Sequence, residues 1–82
     1  MKPKHPLKQF RETHKLTQTE LGILIDVTPV VLAQVEGGYR RMISDILDKF
    51  CNRFNISSEE YLEQEKEYRK QYKEFLIEEK LN

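Results

Sequence analysis

The sequence predicts a single all-α domain of five helices, the last of them long. Three observations predict it. Apolar residues recur at three-to-four spacing between turn signals, as they do along the buried face of a helix. Two patterns of Ser or Thr followed three residues on by Glu, Thr17–Glu20 and Ser57–Glu60, mark helix starts. There is no Asn-Gly or Asp-Gly hairpin turn, and every Pro and Gly precedes residue 39, leaving the last 44 residues free of both breakers.

The first helix opens at Pro6, which fits the first turn because its missing N–H has no partner to lose there. Its buried positions are read as Leu7, Phe10 and His14, with the helix closing near Leu16. A capping box starts the second: the Thr17 hydroxyl accepts from the Glu20 amide while the Glu20 carboxylate reaches back. That helix runs through Leu21, Leu24 and Ile25 and ends near Asp26, which tolerates a left-handed backbone. Thr28-Pro29 opens the third, as N-cap and first helical residue. Leu32 and Val35 face inward with Val27, and Gly37-Gly38 stops the helix. The fourth starts near Ser44, with Ile43, Ile46, Leu47, Phe50, Cys51 and Phe54 on its inner face and Asn55 at its end. The Ser57–Glu60 box begins the fifth, which runs to about Leu81 and would span roughly 36 Å at about 1.5 Å per residue.

Length and composition narrow the function. The 82 residues suit one small domain and leave little room for an enclosed active site, so enzymatic chemistry is not expected. An apolar share of 38% is enough for one core. No apolar run is long enough for a transmembrane helix, and the basic start (Met1-Lys2-Pro3-Lys4-His5-Pro6) lacks the apolar stretch of a signal peptide. With a single cysteine, Cys51, no internal disulfide forms, and the chain reads as cytoplasmic, with Cys51 a small buried hydrophobe. His5 and His14 lack the spacing and companions of a zinc site; no metal or cofactor is called for. The net charge is zero, but residues 1–56 carry nine Lys+Arg against six Asp+Glu, and residues 57–82 carry five against eight. A mildly basic body, suited to a polyanion, thus precedes an acidic tail. We place the boundary at 62/63: a globular region 1–62 and a charged helical extension 63–82.

Two short helices joined by a tight turn, the second capped at both ends, form a helix-turn-helix pattern. The run Leu16-Thr17-Gln18-Thr19-Glu20-Leu21-Gly22, then Asp26-Val27-Thr28, Leu32 and Val35-Glu36-Gly37-Gly38, resembles the Cro/lambda-repressor-like (XRE) helix-turn-helix family. The resemblance covers roughly residues 5–62 and continues through Asn55-Ile56-Ser57 into the fifth helix. It implies a five-helix lambda-repressor-like fold whose third helix enters the major groove of double-stranded DNA, while the second crosses the backbone. Gly22 then lies where helices 2 and 3 cross. By position the resemblance assigns Gln18 to a phosphate clamp that often also touches a base, Thr28, Pro29, Val30, Ala33 and Gln34 to the groove-facing surface, and Arg40 and Arg41 to phosphate contacts, with Thr19 among the DNA-binding residues. Lys8, Arg11 and Lys15 add backbone contacts if their side of the first helix faces DNA. The chain departs from the family's pattern in one respect: Pro29, Val30 and Ala33 offer thymine methyls a contact but no base hydrogen bond. Gln34 alone is suited to bidentate reading of adenine.

On the tail, Tyr61, Tyr68 and Phe75 recur every seven residues, flanked by Leu62, Tyr72 and Leu76. Gln64, Gln71 and Glu78, or Glu65 and Glu79, interrupt the second seam of a coiled coil. Tyr61 and Leu62 are expected on the domain's own core. Tyr68, Tyr72, Phe75 and Leu76 are expected to bind a second copy or another protein; a solvated helix is the alternative, although its like-charge i,i+4 pairs argue against it. Two functions remain open: a regulator binding operator DNA as a homodimer, or a protein-binding module (antirepressor or co-regulator) that grips another regulator through its apolar helix-3 face or its tail.

Overall fold

The computed structural model describes residues 2–81; Met1 and Asn82, the outer ends of the two regions set out above, lie outside it. All regular structure is helical: α1 Pro6–Thr13, α2 Gln18–Ile25, α3 Pro29–Glu36, α4 Ser44–Phe54 and α5 Ser58–Leu76, continued by a wider π-type turn over Ile77–Leu81. The molecule measures 41 × 24 × 21 Å, elongated by α5. Among the described residues, no single helix is long and apolar enough to cross a membrane.

Local signals place most helix ends. Both bonds of the Thr17–Glu20 box form, at 3.1 and 2.9 Å. The Thr28 hydroxyl caps α3 through the Val31 amide. Asp26 and Asn55 end α2 and α4 in the left-handed conformation, with φ of 55° and 54°. Gly38 takes φ of 82° after α3, where a side chain would be strained. At Ser57 only half of the expected box is made: its hydroxyl accepts from the Glu60 amide, with no return bond among the described residues.

The core is built from Leu7, Leu21, Ile25, Leu32, Val35 and Phe50, extended by Met42, Ile46, Leu47, Cys51 and Tyr61. Phe50 is fully buried, its ring edge-on to Phe10 at 4.9 Å and to Tyr61 at 5.4 Å, so α1, α4 and α5 meet on it. Several expectations need correction. Helix α1 stops at Thr13 because His14 caps it and Lys15 turns left-handed, so His14 is exposed and lies against Phe10 from outside. Ile43 is the N-cap of α4, not part of its inner face, and is 55% exposed. Leu62 points to solvent, leaving Tyr61 alone to anchor the first turn of α5. Gly22 is small because of the turn: a Cβ there would drive into the Val27 carbonyl oxygen, while from α3 it would meet Leu32 Cδ1 at an ordinary 3.6 Å. Gly22→Ala is expected to cost about 1–3 kcal/mol in urea denaturation, since a rigid turn backbone must shift.

Candidate nucleic-acid interface

Helices α2 and α3, eight residues each, are joined through Asp26-Val27-Thr28, and the chain bends by 113° between them. That bend lies within the range of about 90–120° for helix-turn-helix pairs. Three contacts hold it: the Val27 amide bonds the Gly22 carbonyl at 3.0 Å, Leu21 and Leu32 are buried together, and Lys49 Nζ reaches the Asp26 carbonyl from α4. With Leu32 and Val35 turned into the core, α3 presents Pro29, Val30 and Ala33 outward, and Val30 is 66% exposed. Thr19 and Thr28 are exposed beside them, as are Arg40 and Arg41 in the loop after α3.

The two glutamines are less free than the spacing suggests. Gln34 is half-buried, and its Oε1 accepts from Arg40 Nε at 3.0 Å. The loop folds back over α3 because the Tyr39 and Arg40 amides both bond the Gln34 carbonyl. A bidentate contact to adenine therefore requires Gln34 to leave Arg40 or share its amide oxygen with it. Gln18 is half-buried too, and its Nε2 donates to Glu36 Oε1 at 3.3 Å. Glu36 is the centre of a larger network. Arg11 binds it through Nε and Nη2 at 2.9 and 3.0 Å and donates Nη1 to the Leu16 carbonyl. These side chains are only 15% and 5% exposed, so Arg11 is a structural tie between α1 and α3 rather than a free backbone contact. The same bond raises the pKa of the guanidinium.

Sequence reading missed the contribution of the N-terminal segment. Lys2, Lys4 and Lys8 line a shallow cleft of about 450 Å³ with Gln18, Ala33 and Glu36, so lysines border the face that α3 presents. Lys4 is matched there by Glu12 at 2.7 Å, which holds that carboxyl below its usual range. Lys2 and Lys4, ahead of α1, carry no periodic signal, and only the way the segment folds back places them; Lys8, which the sequence did offer as a backbone contact, lies within α1. Tyr39 (88% exposed) and Ile23 (72% exposed) were also missed, since neither belongs to a spacing pattern.

The tail is docked, not free. His5 is the N-cap of α1, and its Nδ1 accepts from the Leu7 amide at 3.1 Å, which leaves the imidazole proton on Nε2, 3.6 Å from Glu65 Oε2. Glu65, read from the sequence as a break in a coiled-coil seam, is 6% exposed and also pairs with Arg69, its i,i+4 neighbour, at 3.6 Å. Tyr68 sits edge-on to His5 at 5.0 Å, and the Lys2 ammonium lies 5.7 Å from the Tyr72 ring, so the protein's own N-terminus half-covers the aromatic stripe. Phe75 is likewise half-buried, and Leu76 is 37% exposed. The Tyr61 hydroxyl is buried without a hydrogen-bond partner among the described residues, and burial, reinforced by the Glu65 charge, pushes its pKa above the usual phenol range.

Burial lowers the His5 pKa from 6.5 to about 4, against the pull of Glu36 and with the push of Arg69. Because the unfolded chain takes up this proton near pH 6.5 and the folded one only near 4, stability is expected to fall across that window and level off below it. Allowing for solvent screening, the loss is on the order of 2 kcal/mol. Urea denaturation at pH 7 and pH 4.5 measures it. His5→Asn, which keeps an N-cap acceptor, should remove most of the difference.

On the other side of the tail, an open groove of about 1040 Å³ runs between the Gly37–Arg41 loop and the second half of α5. Tyr68, Tyr72, Leu76 and Leu81 supply its apolar surface above the buried Val35, and cationic side chains border it.

No family model matches the chain, and no solved structure matches it. Among characterised proteins, the antitoxin PezA of Streptococcus pneumoniae serotype 4 is 31% identical over 51 residues, 62% of this chain. The chain spans about a third of that relative, 32% of its length.

Proposed function

We propose that the protein is a small helix-turn-helix transcriptional regulator that binds operator DNA as a dimer, through α3 and the loop that follows it. One observation carries the reading. An exposed, sharply capped α3 leaves α2 at a 113° bend, with Arg40 and Arg41 exposed beside its outer face. A rod of that kind fits the major groove, and the flanking cations suit phosphates. Lys2 and Lys8 extend the positive border, and Thr19 stands exposed at the start of α2, where free amides favour an anion. The resemblance to the Cro/lambda-repressor-like family supports the same reading.

Selection of duplexes from a random-sequence pool, followed by anisotropy titration of the enriched site, tests it. Arg41→Ala should weaken all duplexes alike and lower the salt slope by about one. Gln34→Ala should cost about 1–3 kcal/mol at a single base position. If no sequence is enriched, the proposal fails.

A second reading, a protein-binding module on the same scaffold, is favoured by the apolar character of Pro29, Val30 and Ala33 and by the groove along α5. The likeness to a protein named an antitoxin is compatible with it. Loss of a protein partner when residues 63–82 are removed, in a chain shown by circular dichroism to remain folded, tests this reading.

A further inference from the structure

We infer that the groove between α5 and the Gly37–Arg41 loop is the docking site for an acidic amphipathic helix of another protein, and that its occupant competes with DNA. The second half of this inference rests on the proposed function; the first does not. Arg69, Lys73 and Lys80 border the groove along α5, and Arg40 and Arg41 border it along the loop. Against these five cations stands one carboxylate, Glu65, which is buried and already flanked by Arg69 and His5. Between the cations the surface is apolar, formed by Tyr68, Tyr72, Leu76, Ile77 and Leu81 over the buried Val35, and the last three of these five are 37%, 43% and 78% exposed.

A duplex does not fit that surface, because its phosphates would desolvate against aromatic and aliphatic walls. A second copy meeting it groove to groove about a two-fold axis would set these cations against their own counterparts. A helix with apolar side chains at i, i+4 and i+7 and carboxylates on its flanks satisfies both features. The stretch from Glu65 to Leu81 offers roughly 24 Å, enough for about four helical turns.

The link to DNA runs through Arg40. Its guanidinium holds the Gln34 amide oxygen at 3.0 Å, and with Arg41 it belongs both to the border of the groove and to the loop beside the outer face of α3. Carboxylates docked in the groove draw both arginines away from phosphate and change the partner of Gln34. Occupant and operator therefore oppose each other.

The test uses a fluorescent helix-forming peptide of about four turns, with leucines at i, i+4, i+7 spacing and glutamates on the flanks, titrated by anisotropy against the full chain. Two counterparts carry lysine for glutamate or serine for leucine. The acidic leucine peptide should bind at least about tenfold tighter than either. Leu76→Glu and the exposed pair Arg69→Glu/Lys73→Glu, each checked by circular dichroism for retained helix, should each weaken it about tenfold or more. On a selected duplex, saturating peptide should raise the Kd for DNA at least about fivefold. Equal binding of the acidic and basic peptides, or no effect of the variants, overturns the groove assignment. So does sedimentation that finds the groove occupied by a second copy, with Leu76→Glu converting a dimer to monomer. Tighter binding to anionic phospholipid vesicles than to the peptide, lost in the same variants, also overturns it. If no duplex is bound while the peptide is, the operator reading fails and the docking site stands. If DNA and peptide bind together without interference, the competition is wrong.

Discussion

Replacing Glu36 with alanine is expected to destabilise the protein by about 3–5 kcal/mol, one of the two largest single-residue effects anticipated here. The carboxylate takes two hydrogen bonds from Arg11 and one from Gln18 in a site where its side chain is 5% exposed. Removing it leaves a guanidinium that is 15% exposed with the Leu16 carbonyl as its one remaining hydrogen-bond partner among the described residues. The cost is that of an uncompensated charge out of water rather than the value of the pair itself. For a domain of this size each kcal/mol moves Tm by about 4–8 °C, so the Tm followed by circular dichroism should drop by roughly 12–40 °C. Arg11→Ala/Glu36→Ala together should lose clearly less than the sum of the single losses, because neither side chain is then stranded. A single-mutant shift under about 5 °C would show that the pair is solvated and dispensable.

Phe50→Ala should cost a similar amount, about 3–5 kcal/mol, by a different mechanism. Its ring is fully buried and touches Phe10, Phe54 and Tyr61 at centroid distances of 4.9, 5.5 and 5.4 Å. Truncation removes a surface shared by α1, α4 and α5 and leaves a cavity that short, capped helices cannot easily collapse to fill. Small domains have little stability in reserve, so the variant should lie near its unfolding midpoint in water or in very dilute urea. Phe50→Leu, which refills most of the volume, should recover a large part of the loss. If Phe50→Ala shifts the urea midpoint no more than an exposed control such as Tyr39→Ala, then α5 does not depend on this contact.

The two sites differ in how visible they are from the chain alone. Phe50 is anticipated from the periodicity of α4, because a residue three or four places from Ile46, Leu47 and Phe54 shares their face whatever packs against it. Glu36 is anticipated only as part of a motif ending. Its partner lies 25 residues away on α1, and no local rule selects Arg11 over Lys8 or Lys15. Ile43 shows the limit from the other side: it continues the apolar spacing of α4, yet the helix begins one residue later and turns it to solvent.

The outer face of α3 divides in the same way. That Pro29, Val30 and Ala33 point outward follows from Leu32 and Val35 pointing inward, since one helix has one buried face. That Gln34 is held by Arg40 depends on the backbone path after Gly38.

From its sequence alone, the protein's class, its helix order and nearly all its helix ends were determined. Those features rest on hydrogen bonds and backbone angles within a few residues: the Thr17–Glu20 box, the Thr28 cap, and the left-handed Asp26, Gly38 and Asn55. Tertiary structure alone decided which charges are buried, that the N-terminal segment lies on the aromatic stripe of α5, and that this helix borders a groove. Whether Glu65 meets water or His5 is a matter of what lies across the interface, and desolvation and Coulomb energies are set by that distant neighbour, not by the residues adjacent in the chain.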